Sequence, residues 1–222
     1  MPPSHQSAIA FLHSSPLHIE TFNALGVELA PHVTLEHVVR EDLLVAAETA
    51  GQMTDAIAIR TREALMALVD QGAALIVCTC STLGATAEAA GEASPVPIMR
   101  IDRPMADAAV QFGGVIGICA ALGPTLKPTE ALILDSAKRA GRGCQTRLYL
   151  LDDLWTAFRE GRLEDYRKGI AARLSDLAGD VDVLVLAQAS MAPAAALAGH
   201  LEVPVLCSPR LGFNAALRLL VP

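Results

Sequence analysis

A-L-I-V-C-T-C-S-T-L-G, residues 74–84, begins as an apolar strand and ends in thiols and hydroxyls. Ala74–Val77 has the length and character of a buried strand, and Cys78, Thr79, Cys80, Ser81 and Thr82 follow where such a strand gives way to a helix. Open α/β sheets keep their chemistry at that position. Gly84 and the alanines Ala85, Ala87, Ala89 and Ala90 read as a helix that starts just past the hydroxyls. Its unpaired N–H groups would face the same space as Cys80 and suit an anion, most simply a carboxylate.

A second copy lies downstream. Val183–Pro193 reads V-L-V-L-A-Q-A-S-M-A-P, and an offset of 108 pairs Val77 with Val185, Cys80 with Gln188, Thr82 with Ser190 and Gly91 with Gly199. Each copy runs on into a Val-Pro strand, Val96-Pro97-Ile98-Met99 and Val203-Pro204-Val205-Leu206, with a slip of one residue. The chain is therefore read as an internal duplication. One strand end carries a thiol, and its counterpart carries an amide.

The 222 residues are 52% hydrophobic, 18% charged and 4% aromatic, with 16 glycines and 13 prolines spread along the chain, which is enough for one domain or two and argues against disorder. A formal charge of −7 argues against nucleic acid as a partner, because phosphate binding needs a basic surface. No apolar run reaches the roughly 18–20 residues of a membrane span. Met1-Pro2-Pro3-Ser4-His5-Gln6 lacks the basic region and apolar core of a secretory leader, so a cytoplasmic protein is expected. The five cysteines, Cys78, Cys80, Cys119, Cys144 and Cys207, show no disulfide rhythm. Cys119 and Cys207 sit in apolar strand patterns, and Cys144 follows a Gly-Arg-Gly turn. No metal site is expected, since Cys78 and Cys80 have no second ligand pair near them.

In chain order, Ala8–Leu12 is a short strand ending in His13-Ser14-Ser15-Pro16, with a helix from about Leu17 to Leu25. Val33–Val39 alternates as a half-buried strand and is closed by Arg40-Glu41-Asp42; Leu43–Gly51 and Asp55–Gln71 are helical. After a Val96–Ile101 strand, Asp102-Arg103-Pro104 marks a turn before a Met105–Gln111 helix. The order then repeats: strand Val115–Ala120, turn Gly123-Pro124-Thr125, helix Thr129–Ala140, strand Thr146–Leu151, helix Leu163–Leu177, the second copy, strand Val203–Ser208 and helix Asn214–Leu220. Asp152-Asp153 with Arg159-Glu160-Gly161-Arg162 reads as a solvated loop and helix start. Strands alternating with helices give an α/β fold of two pseudo-symmetric domains, each a mainly parallel sheet flanked by helices. The boundaries expected are residues 1–101 plus 206–222 for the first domain and 102–205 for the second.

Cys80-Ser81-Thr82 and Leu186-Ala187-Gln188-Ala189-Ser190-Met191, together with Ser14-Ser15 after the first strand and Thr125 after the fifth, resemble the aspartate/glutamate/hydantoin racemase superfamily over essentially the whole chain. The second motif resembles the hydantoin-racemase version, with Gln188 where its cysteine belongs. The resemblance implies an enzyme that needs no pyridoxal phosphate or other cofactor, two domains facing each other across a cleft, and a dimer or higher homo-oligomer. In such racemases one cysteine, as thiolate, removes the proton next to a carboxyl group, and the other, as thiol, returns one to the opposite face. A thiol suits this work because its pKa of about 8.5 is tunable by a helix N-terminus and hydrogen bonds. An amide can only exchange hydrogen bonds.

Three readings follow. The first is racemisation or isomerisation of a small carboxylate substrate, with Cys80 as one acid/base and a further group, such as His13 or His18, as the other. In the second, a single thiol serves a decarboxylase of malonate-type acids, which needs one proton from one side. The third is a carboxylate-binding relative without turnover. The residues expected at the substrate are Cys80 and Gln188, with Ser14, Ser15, Ser81, Thr82, Thr125, Ala189 and Ser190 as carboxylate contacts at strand ends. Helix capping is the plain alternative for the hydroxyls. Arg100 and Arg103 beside Asp102 offer either a distal carboxylate contact or a salt bridge.

Overall fold

The structure, a computed structural model, describes residues 8–220. The reading of Met1–Gln6 as lacking a leader falls outside those residues. Among the described residues no helix is long and apolar enough to cross a membrane. The chain divides into two compact units, Met1–Ile101 with Pro209–Pro222, and Asp102–Ser208.

The first unit holds strands β1 (Ala8–His13), β2 (Thr34–Val39), β3 (Leu75–Cys78) and β4 (Ile98–Arg100), all parallel and ordered β2-β1-β3-β4. β1 and β3 are apolar because both their faces are covered; β2 lies at an edge and alternates. One face of the sheet, with Ala10, Leu12, Ile76, Cys78 and Cys80, packs on Leu43, Ile57, Leu65, Leu68 and Leu83 from helices α2 (Glu41–Ala50), α3 (Asp55–Asp70) and the turn before α4 (Gly84–Gly91). The other face, with Ile9, Phe11, Leu75 and Val77, packs on Phe22 and Leu25 of α1 (Leu17–Leu29) and on Phe213 and Ala216 of the last helix, α10 (Ser208–Leu220). α10 comes so close that a Cβ on Gly212 would collide with the carbonyl oxygen of Ile101.

The second unit repeats the plan with β5 (Val115–Ala120), β6 (Gln145–Leu150), β7 (Val183–Leu186) and β8 (Val205–Cys207), parallel and ordered β6-β5-β7-β8. The duplication extends to single backbone bonds. Thr79 N–H donates to the Leu12 carbonyl at 3.0 Å, and Ala187 N–H to that of Cys119 at 2.9 Å; Ile76 N–H donates to Pro97 at 3.0 Å, and Leu184 N–H to Pro204 at 2.9 Å. The helices of this unit are α5 (Arg103–Phe112), α6 (Gly123–Arg139), α7 (Trp155–Arg159), α8 (Leu163–Ala178) and α9 (Ala192–Leu197). Tyr166, Ile170 and Leu174 of α8 pack with Cys119, Leu184 and Leu186 on one face of the sheet.

Several boundaries differ from the sequence reading. Gly123-Pro124-Thr125 is not a turn but the first turn of α6, with Pro124 at its start and Pro128 inside it. Pro124 stands where N–H groups have no intrahelical partner and its fixed φ suits the helix, whereas Pro128, one turn further in, leaves the Pro124 carbonyl without its i−4 donor. The segment read as a loop after β6 forms a 3-10 turn over Asp152–Leu154 and then α7. α5 starts at Arg103 and α10 at Ser208, both earlier than expected. The boundary drawn at 205/206 falls inside β8, whose Leu206 and Cys207 pair with Val185 and Leu186.

Candidate functional site

In the first unit the residues singled out by sequence converge at the C-terminal ends of β1 and β3. Cys80, Ser14, Ser15, Ser81 and Thr82 are all buried there. The chain turns at Cys80, where Leu83 N–H donates to the Cys80 carbonyl at 3.1 Å and Gly84 N–H to that of Ser81 at 3.3 Å, which launches α4. Burial pushes the Cys80 thiol above its ordinary pKa. Hydrogen bonds from the Ser14 hydroxyl, the Leu83 and Thr82 N–H groups and the Thr82 hydroxyl act against that rise by favouring the thiolate. Ser15 has a local duty, accepting from Leu17 N–H at 3.4 Å. Cys78, two residues before Cys80, directs its thiol at the Cys80 carbonyl, 3.8 Å away.

His13 and His18, read as candidates for a second acid/base, are buried and hold their protons weakly. Burial, with His18 and His37 nearby, lowers His13 to about 3, and burial lowers His18 to about 4. Both nitrogens of His13 are engaged: Nδ1 with Thr79 Oγ1 at 2.8 Å, and Nε2 with His37 Nδ1 at 2.8 Å. Thr79 spends its own proton on the Leu12 carbonyl at 3.2 Å. His13 therefore donates from Nδ1 and accepts at Nε2 from His37. His37 Nε2 lies 3.0 Å from Asn23 Oδ1 at the surface. With its one proton on Nδ1, neutral His37 accepts at Nε2 from the Asn23 side-chain amide NH2, and the chain fixes His13 in one neutral tautomer. The sequence held its members, but the contacts needed the β1–β2 register, which sets Phe11 opposite His37.

In the second unit the position equivalent to Cys80 is closed by its own amide. Gln188 Oε1 accepts from Ala121 N–H at 2.7 Å and Leu122 N–H at 3.1 Å, at the end of β5. The two donors identify the accepting atom as oxygen, so the amide orientation is fixed. Ser190, partner of Thr82 in the duplication, lies 3.0 Å from the Tyr166 hydroxyl, a contact that sequence reasoning missed. Burial raises Tyr166 above its ordinary range. Ala189 and Thr125 are buried nearby in chain terms, with Thr125 in the first turn of α6 and its carbonyl accepting from Thr129 Oγ1 at 2.9 Å. The thiols of this unit lie elsewhere. Cys119, in β5, is pushed up to about 12 by burial, and Cys144 and Cys207 are raised by the same cause.

The two arginines separate. Arg103 bonds Asp135 at 2.6 Å and Ser136 Oγ at 3.0 Å within the second unit. Arg100 is buried in the first, with Nη2 donating to the Ser81 carbonyl at 3.3 Å and Nη1 3.5 Å from Glu88. Among the described residues no group of three or more His, Cys, Asp or Glu side chains is arranged to hold a metal ion.

The sequence profile of the family described as Asp/Glu/hydantoin racemase matches residues 23–216. No curated protein sequence matches significantly. Among solved structures, an aspartate racemase homologue from Pyrococcus horikoshii is similar at 13% identity and a TM-score of 0.69, over 97% of this chain and 100% of that one. A glutamate racemase from Bacillus anthracis is similar at 16% identity and a TM-score of 0.67, over 97% of this chain and 82% of that one. A glycine-to-cysteine variant of arylmalonate decarboxylase is similar at 17% identity and a TM-score of 0.56, over 96% and 93%.

Proposed function

Because the chain belongs to the Asp/Glu/hydantoin racemase family, we propose that it catalyses proton transfer at the carbon next to the carboxylate of a small acid or amino-acid derivative, without a cofactor, using Cys80 as acid/base. The observation that carries this reading is the burial of Cys80 beside Ser14, Ser15, Ser81 and Thr82 at the ends of β1 and β3, where the Ser14 and Thr82 hydroxyls and the Thr82 and Leu83 N–H groups favour its thiolate. A thiolate formed there is stabilised at once, and the same groups suit a substrate carboxylate. As an isomerase, Cys80 exchanges the α-proton, and the resulting enolate is reprotonated by a group other than residue 188.

A second reading, decarboxylation of malonate-type acids, has its own support. Gln188 is tied to backbone N–H groups, and Cys80 is biased by burial toward the protonated thiol. In that reaction the carbon–carbon bond to one carboxylate breaks, carbon dioxide leaves, the electron pair stays as an enolate, and the Cys80 proton passes to carbon. Water then restores the thiol. One thiol suffices, and the product has a single hand.

The test is proton NMR in deuterated water with amino acids, hydantoins and substituted malonates, on wild type, Cys80→Ala and Gln188→Cys. Wild type is expected to exchange or decarboxylate at least one class, with Cys80→Ala at least ~10²-fold slower, the size of effect general acid–base groups supply. Activity that survives Cys80→Ala removes Cys80 from the chemistry. Activity seen only in Gln188→Cys identifies a binding protein that has lost turnover.

A further inference from the structure

The duplication gives each half an internal comparison, and one trio of residues occurs only in the half that carries the thiol. Arg100 closes β4, paired in register with Cys78; the equivalent place in β8, paired with Leu186, is Cys207. Gly84, at the start of α4, corresponds at the offset of 108 to Ala192 at the start of α9, and Glu88 corresponds to Ala196. So arginine, glycine and glutamate in the first unit become cysteine, alanine and alanine in the second.

The exchange is physical. A Cβ on Gly84 would sit 2.6 Å from Arg100 Cζ and Nε and 2.7 Å from Nη2. A side chain at this position requires the guanidinium to shift from its place. The glycine is thus the seat of the guanidinium. From that seat Arg100 reaches the Ser81 carbonyl at 3.3 Å and Glu88 at 3.5 Å, one turn further along α4. A buried guanidinium is costly to desolvate and is kept where its donors are used in a fixed geometry. The carbonyl it binds also accepts from Gly84 N–H at 3.3 Å, so the cation and the first helical bond meet on one oxygen.

We propose that Arg100 is a positioning residue for Cys80: seated in the gap left by Gly84, it fixes the Ser81 carbonyl and thereby holds the turn over residues 80–84 in the form that directs the Thr82 and Leu83 N–H groups at the Cys80 sulfur. The proposal rests on the reading of Cys80 as the reacting thiol, but its test does not depend on turnover. The titratable or charged side chains near this end of the sheet include His13, which bonds His37 of β2, and His18 from the β1–α1 segment, Cys78 on β3, Arg100 on β4, the buried Asp102 just past it, and Glu88 on α4. α3, packed beside α4, buries Thr61 and apolar residues only. Both histidines stay neutral well below pH 7, so a titration above pH 7 reports the thiols.

The experiment is a carbon-13 NMR titration of the Cys80 β-carbon in protein labelled at cysteine, assigned with Cys80→Ser. It compares wild type, Gly84→Ala, Arg100→Met and the double variant Arg100→Cys/Gly84→Ala. The double variant transplants a pair that the second unit already accommodates, so it is expected to fold. Each variant is expected to raise the Cys80 pKa by about one unit, because one or both N–H donors are lost. Gly84→Ala, which displaces the guanidinium but keeps its charge, separates positioning from the loss of a nearby cation in Arg100→Met and the double variant, so a rise in Gly84→Ala is the required result. An unchanged Cys80 pKa in the folded double variant overturns the proposal. If the pKa moves while no substrate is turned over by any form, positioning stands and the catalytic reading falls.

Discussion

Gln188 decides what the second half can do. Its carbonyl oxygen fills a backbone cradle of two N–H groups, a place an anion would otherwise take. Gln188→Ala should destabilise the protein by about 1–2 kcal/mol, because the N–H groups of two buried residues lose their acceptor. Gln188→Glu should cost less or stabilise, since a carboxylate is the stronger acceptor for the same two groups. Urea denaturation measures both, and a Glu variant weaker than the Ala variant would refute the cradle. The sequence announced the substitution plainly, because Cys80 and Gln188 stand at the same distance from matched apolar strands. It could not show what the amide grips, since Ala121 and Leu122 bond through their backbones. Arg100 was legible only as a distal carboxylate contact or a salt bridge. Its relation to Gly84 needs strand register and the absence of a single carbon atom.

At the scale of elements, β1, α1 and β2 carry three histidines, His13, His18 and His37, with a cost in acid. His13 and His18 have folded pKa values near 3 and 4, against about 6.5 in the unfolded chain. The unfolded state therefore binds more protons below pH 6.5. Stability contributed by neutral burial is fully present above that value and drains as pH falls toward 4 and then 3. The slope is at most about 1.4 kcal/mol per pH unit for each histidine, and half-buried His37 shifts in the same direction. Melting temperature should fall steadily from pH 7 to pH 4.5, and His18→Phe should flatten that descent. A melting curve indifferent to pH over this range would contradict the buried, neutral state. Elements also mark where sequence reasoning failed. Apolar runs such as Val183–Leu186 declared themselves, whereas the helix expected from Thr129 begins at Gly123 and runs through Pro128. α7, five residues long, is too short for its apolar spacing to stand out.

On the scale of the whole molecule, the first unit is assembled from two distant parts of the chain. Phe213 of α10 lies against Phe11 with ring centroids 6.2 Å apart and against Phe22 at 6.5 Å, and is fully buried. Phe213→Ala should cost about 3–5 kcal/mol, read by denaturant unfolding. A loss below about 1 kcal/mol would mean that α10 does not close that core. This dependence follows from topology, and the reading of the sequence that assigns residues 206–222 to the first domain expects it.

The split has a consequence for synthesis. A ribosome finishes β1 to β4 early, yet the aromatic face of that sheet waits for α10 while the second unit, roughly a hundred residues, is made. At about 5–20 residues per second the wait is on the order of 5–20 s. During it Phe11 and Phe22 lack their cover, so the thiol-bearing half is begun first and completed last, and nascent chains stalled within the second unit would be the ones chaperones hold.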